Sequence, residues 1–136
     1  MVRGVLTSPA TGERGFTLLE LIVVISIIAI LSAIALPNYK AAIIQSKEAV
    51  LREDLFQFRD RIDQYYADKG KYPESLETLL EQGYLRRMPN DPMTGNPDWQ
   101  LVPAEPDPDD PDASGIYDVR SSSTAVSMSG TPYNEW

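Results

Sequence analysis

The sequence predicts an α+β fold: a long N-terminal helix, apolar in its first half and amphipathic in its second, packed on a small antiparallel β-sheet. Three observations carry that expectation. From Leu21 to Leu36 only Ser26 and Ser32 interrupt an apolar run. Ile44, Leu51, Leu55, Phe58, Ile62 and Tyr65 then recur at helical spacing. Three short β-prone segments, Trp99 to Val102, Ile116 to Arg120 and Thr124 to Met128, follow a region dense in turn residues.

With Phe16 to Leu19 in front, the apolar run approaches the roughly 20 helical residues that cross a hydrocarbon core about 30 Å thick. Its two serines can bond back to the helix's own carbonyls. Before it, Arg3 and Arg14 outweigh Glu13, a weak basic excess that favours a cytoplasmic N-terminus and places everything after Pro37 outside. A secretory signal has an apolar core of about 7 to 15 residues followed by small residues. Here the run is longer, and Gly4, Ser8, Ala10, Gly12 and Gly15 precede it. A plain single-pass anchor explains the length but not Glu20, because a carboxylate in a membrane helix costs about 2.5 kcal/mol or more. Such a cost implies a basic partner. Arg14 is one candidate; a free amine made by cutting after Gly15 is another, charged at neutral pH because its pKa is about 8. Within one helix the Phe16 amine lies one turn from Glu20. Between helices stacked with an axial offset, one copy's amine would neutralise the next copy's Glu20 and penalise every other register.

Pro37 removes one helical hydrogen bond and crowds the preceding turn, so a kink or loosening is expected there. Helical spacing resumes at once and runs to about Asp68, with Gly70 as the stop. The apolar stripe packs on the chain's own domain or serves a partner helix. Lys47, Glu48, Arg52, Glu53, Asp60 and Asp63 are assigned to the opposite face, with Glu48 to Arg52 and Arg59 to Asp63 at ion-pair spacing. In "GKYPESLETLLEQGYL", Pro73 suits the first turn of a short helix, Leu76, Leu79 and Leu80 give it an apolar side, and Gly83 ends it. Tyr72 and Tyr84 are expected to pack on the long helix. "RRMPNDPMTGNPDW" is turn chemistry throughout. "PAEPDPDDPDASG", proline-rich and acidic, reads as a disordered or mobile excursion, with cation binding as the livelier alternative.

The 136 residues allow about one domain beyond the apolar segment. A net charge of −8 argues against nucleic-acid partners, whose phosphates such a surface repels. Cysteine and histidine are both absent, which removes disulfides, thiolate and imidazole nucleophiles and the usual zinc ligands. No nucleophile and base stand at a suggestive spacing, so no enzymatic activity is expected.

"RGFTLLELIVVISIIAILSAIALPNY" closely resembles the class III signal and first helix of type IV pilin-like proteins. The resemblance implies residues 1–15 as a leader, cleavage between Gly15 and Phe16 by a prepilin peptidase, N-methylation of Phe16, and an assembly role for Phe16 and Glu20. Residues 16–36 become a membrane and filament-core helix, and 37–136 a periplasmic head whose residues 38–69 continue the helix, with Pro37 as the yielding point. Lys71-Tyr72-Pro73, the leucine-rich helix, Tyr84-Leu85 and Pro89-Asn90-Asp91-Pro92 with Gly95 look like the head of the major pseudopilin of type II secretion systems, with Met93-Thr94-Gly95 where many members carry Trp-Gly. The implied function is a structural subunit of an inner-membrane origin that polymerises into a helical periplasmic filament for protein secretion. Its implied partners are further copies, minor pseudopilins, the peptidase and an inner-membrane assembly platform. A type IV pilin for adhesion, motility or DNA uptake is the alternative, although many pilins close a C-terminal loop with a disulfide and this chain has no cysteine. A membrane-tethered binding module using Glu105 to Asp112 is a further alternative. Family members commonly bind calcium in the loop after the second strand. "SSSTAVSMSGTPYNEW" offers no acid before Glu135, so no cofactor is expected, and Tyr133 and Trp136 are expected to pin the terminus by packing.

Overall fold

A computed structural model describes Gly4, residues 15–110 and residues 114–136. The elements in chain order are α1 (Leu18–Lys69), α2 (Leu76–Glu81), β1 (Gln100–Pro103), β2 (Ile116–Arg120) and a single 3-10 turn at Tyr133–Glu135. The chain divides into two compact units, Met1–Tyr39 and Lys40–Trp136. Residues 1–3 and 5–14 of the expected leader, with Arg3, Glu13 and Arg14, and residues 111–113 lie outside the described residues.

In the first unit, the described part is the start of α1, whose apolar side chains are all exposed: Leu21, Val24, Ile28 and Leu31 keep about half or more of their surface open. The helical assignment continues without a break across Pro37. In the second unit, Leu51, Leu55, Phe58, Ile62 and Tyr65 of α1 are buried as the stripe predicts. They meet Leu76, Leu79, Leu85, Trp99, Ile116, Val119 and Tyr133 in one core. Phe58 and Trp99 contact edge to face at 5.0 Å between centroids, a favoured aromatic arrangement.

Gly70 and Gly83 stop their helices as expected. Both adopt positive φ, 71° and 81°, which glycine takes without a steric penalty. The Gly70 amide donates to Tyr66 O at 2.8 Å, and the Tyr84 and Leu85 amides fold back onto Leu79 O. Tyr84 and Tyr72 pack on α1 through Tyr65 and Tyr66, at 5.3 and 4.5 Å. Pro73 does not open α2: the N-cap is Ser75, whose hydroxyl accepts from the Thr78 amide at 3.2 Å. A serine acceptor satisfies a free helix-end donor, which proline cannot do. Pro73 is instead buried, and its carbonyl accepts from the Ile116 amide.

β1 and β2 pair antiparallel from Gln100↔Arg120 to Pro103↔Ile116, with a register shift between Val102 and Pro103. β2 matches its predicted limits. β1 starts one residue later than predicted because Trp99 turns inward, its indole Nε1 donating to Pro89 O at 2.8 Å. The predicted third strand, Thr124 to Met128, does not form; Val126 makes only an isolated bridge to Pro132. Serine hydroxyls there compete for the backbone: Ser121 Oγ accepts from the Ser123 amide, Ser123 Oγ from Ala125, and Ser127 Oγ from Thr131. These local bonds hold the amides in turns rather than a ladder. In the described part of the acidic segment, the Asp107 carboxylate accepts from the Asp109 amide and its carbonyl from the Asp110 amide, closing a turn; residues 111–113 of the expected mobile excursion lie outside the described residues.

Candidate functional site

Gly15, Phe16 and Thr17 precede α1 without helical structure, and Phe16 is 90% exposed. The peptide bond that would be cut is therefore accessible. Thr17 then opens the helix: its hydroxyl accepts from the Glu20 amide at 3.2 Å, while Glu20 Oε2 accepts from the Thr17 amide at 3.4 Å. This reciprocal pair is a capping box, which satisfies two otherwise free donors at a helix start. Glu20 thus has a role inside its own chain that the charge argument did not supply. The signal was present in "TLLE", the Thr-x-x-Glu spacing directly before an apolar run. A carboxylate in the first turn also complements the positive end of the helix dipole. An open apolar recess lined by Phe16, Leu18, Leu21 and Val24 borders Glu20.

Beyond this box, α1 meets the length and composition needed to cross a membrane, with its most apolar stretch wholly unburied. Ser26 Oγ donates to Ile22 O at 2.7 Å, so one of the two serines in that stretch is satisfied within the helix. Pro37 lies inside α1, exposed and distant in sequence from Gly15, Phe16 and Glu20.

In the second unit, three polar contacts tie the C-terminal segment to α1. Glu48, assigned by the sequence reading to the solvent face, is instead 5% exposed. Its Oε1 accepts from Tyr133 Oη at 2.8 Å and from the Met128 amide at 2.9 Å. Burial, first, and the Glu48 hydrogen bond push the Tyr133 phenol above its ordinary value. Ile44, placed in the stripe, is exposed by contrast. Arg59 pairs with Asp118 rather than Asp63, Nε to Oδ1 at 2.7 Å, and its Nη2 donates to Trp136 O at 2.9 Å. Arg52 has no bond to Glu48; its guanidinium stacks over the Trp136 ring at 4.5 Å. Long-range partners displace both i, i+4 pairs because a part-buried site strengthens a charged hydrogen bond that water weakens on an open helix face.

Asp91 is the other buried acid the sequence reading left in a generic turn. It is fully buried, accepting from Ser121 Oγ at 2.5 Å and from the Met93 amide at 2.9 Å. Its amide and carbonyl close the turn with Asn96 and Gly95. The Asp91 carboxylate thereby fastens the 89–97 turn to the residue following β2. Among the described residues, no group of three or more acidic side chains converges as a metal cluster does.

Comparison with known proteins follows the same division. The prokaryotic N-terminal methylation motif matches residues 11–36. The chain is 33% identical over 125 residues to the type II secretion system core protein G of Escherichia coli strain K12, covering 80% of this chain and 80% of that protein. It is 32% identical over 114 residues to the type II secretion system core protein G of Pseudomonas aeruginosa, covering 72% and 80%. The type IV major pilin protein PilE1 of Neisseria gonorrhoeae is 42% identical over 67 residues, 48% of this chain and 39% of that protein. No solved structure matches at a significant level. Because the likeness to the secretion proteins extends over most of the chain and four-fifths of their own length, while the pilin likeness covers under half of either partner, the chain belongs to the type II secretion system core protein G family, the major pseudopilins.

Proposed function

We propose that this chain is the structural subunit of a type II secretion pseudopilus. It is made as an inner-membrane precursor with its head in the periplasm, cut between Gly15 and Phe16, methylated on the Phe16 amine, and polymerised into a periplasmic filament that helps move secreted proteins. Residues 1–15 are the leader, 16–36 the membrane and filament-core helix, and 37–136 the head. The observation that carries this reading is the apolar stretch of α1, exposed on every side and lying within the matched methylation motif. Such a surface is stable only in lipid or against other apolar helices, and a subunit moving between the two exchanges one for the other. Further copies, minor pseudopilins, the prepilin peptidase and an inner-membrane assembly platform are the partners this cycle requires. The subunit performs no chemistry of its own.

Pro37 is the position where α1 yields under load, since one turn there lacks a hydrogen bond. The head works without calcium. Ser127, Ser129 and Thr131 are hydrogen-bonded to one another at 2.8 to 3.3 Å, and Glu48 is occupied by Tyr133 and Met128. That donor set does not fit a hard cation, which takes about six to eight oxygens with several carboxylates among them.

Mass spectrometry of the N-terminus from the native membrane tests the route. A chain starting at methylated Phe16 is the expected result; a chain retaining residues 1–15 refutes it. Glu20→Ala is expected to be cut normally and to enter filaments poorly, whereas wild-type incorporation rules out the pairing of Glu20 with a neighbour's amine.

A further inference from the structure

In the Lys40–Trp136 unit the buried stripe of α1 reaches Glu48, and one turn earlier it emerges. Ile44 is 43% exposed and its neighbour Ile43 39%. Val126 and Met128, on either side of buried Ser127, are 60% and 59% exposed. The Met128 amide donates to Glu48 Oε1 at 2.9 Å. Helical side chains lean toward the N-terminus, over the preceding turn, so the Glu48 carboxylate sets Met128 beside Ile44. Two exposed apolar pairs, distant in sequence, thereby share one rim of the unit.

The charge on this rim runs against that of the whole chain. Net charge is −8, yet Lys40 and Lys47 are the only charged residues between Glu20 and Glu48, and Ser121 to Asn134 has none. Glu48 itself is buried and bonded to Tyr133; the first exposed acid after it on α1 is Glu53. At about 100° per residue, Lys40, Ile43, Ile44 and Lys47 fall within about 100° of arc. Exposed apolar side chains flanked by lysines suit an anionic lipid surface, where burial at the acyl boundary and attraction to phosphates act together.

Chain connectivity supplies the lipid. Lys40 follows Leu36, the last residue of the apolar run, by four residues, which span about 14 Å at most when fully extended. The headgroup layer is about 5 to 8 Å deep on each side of the hydrocarbon. With residues 16–36 in the bilayer, Lys40 therefore stays close to the headgroups however the chain runs at Pro37. We propose that the rim formed by Lys40, Ile43, Ile44, Lys47, Val126 and Met128 docks on an anionic bilayer surface. The four apolar side chains enter the boundary between headgroups and acyl chains, and the two lysines meet lipid phosphates. The contact rests on the membrane-anchored reading above and deepens it: the unassembled head lies on the membrane, and leaving the bilayer breaks this contact as well as that of the apolar helix.

Because the chain has no cysteine, one introduced thiol reports on one place. The full-length chain carries a nitrobenzoxadiazole label at Met128→Cys, Glu81→Cys or Ile28→Cys, in phosphatidylglycerol and phosphatidylethanolamine vesicles so dilute that copies do not share one. Glu81 is exposed and belongs to the end of the unit where Tyr84 bonds Asp68, about 36 Å of helical rise beyond Ile44. The label at 128 is expected to emit to the blue of that at 81, and to be quenched about threefold more by lipids with a nitroxide near the headgroup. Lys40→Glu with Lys47→Glu, two exposed positions that leave the core intact, is expected to move the emission at 128 most of the way to that at 81, as is replacing the anionic lipid by phosphatidylcholine. Emission at 128 matching that at 81 in the anionic vesicles overturns the docking. A signal at 128 indifferent to both the lysine changes and the loss of anionic lipid overturns it as well. A blue shift that appears only when chains are crowded assigns the rim to a second copy, with the same consequence. The label at 28 keeps the two readings apart: deep in the acyl layer while 128 is in water, it removes the docking alone; in water itself, it removes the membrane-anchored reading too.

Discussion

Glu20 and Glu48 are two carboxylates on one helix, and each stands where a hydrophobic residue would be the simpler choice. Glu20 closes the capping box with Thr17, a function that glutamine also performs. Glu20→Gln therefore separates its two roles. The helix start should survive in that variant, seen as unchanged helicity by circular dichroism, while filament incorporation should fall as far as in Glu20→Ala if charge is what assembly needs. Glu48 has no such escape, because Glu48→Ala leaves the buried Tyr133 hydroxyl and the part-buried Met128 amide without that acceptor. A loss of about 2 to 4 kcal/mol in head stability is expected by chemical denaturation. The Tyr133 pKa is raised above 10.0, so its stabilising contribution is complete below about pH 10 and disappears as pH climbs through the raised value. Tyr72 and Tyr84 shift in the same direction, the first chiefly through burial and the second through its bond to Asp68. Tyr133→Phe should accordingly melt lower at neutral pH yet lose less on going to pH 11 than wild type does. Glu48 was legible in principle: with it the stripe reads 44, 48, 51, 55, 58, 62, 65, an alternation of four and three, and only its charge argued for the outer face.

At the scale of elements, helices were easier to read than strands because their signals are local. Gly70, Gly83 and the leucines of α2 state their limits in the sequence itself, and Ser75 shows how a cap outranks a nearby proline. Ser75→Ala should cost about 1 kcal/mol in the head's unfolding free energy. The absent third strand was illegible for the opposite reason. β-propensity registered Thr124, Val126 and Met128, but the serines bind their own backbone, and pairing depends on what lies across the sheet. Gly115 marks another long-range constraint. A Cβ there would lie 2.5 Å from the Tyr72 Cβ and 3.0 Å from its backbone, in a stretch fixed by Ala104 N to Gly115 O and Ile116 N to Pro73 O. Gly115→Ala should force β2 away from Tyr72 and lower the head's melting temperature by several degrees, by the scale of about 1 to 3 kcal/mol that overpacking costs.

For the whole molecule, the decisive contrast is between a first unit whose apolar surface is open and a second with a closed core of its own. Residues 40–136 made alone should stay in solution without detergent and unfold in one cooperative transition, whereas the full-length chain should require detergent or lipid. Aggregation of the shorter fragment would show that the core is completed elsewhere. Within that unit the last residues are clasped to α1 by its side chains: Glu48 on Tyr133, Arg59 on the Trp136 carbonyl, and Arg52 against the indole. No thiol takes part, since the chain has none. The clasp consequently needs no oxidant to form and no isomerase to correct, and an excess of dithiothreitol should leave the melting curve of the head where it was.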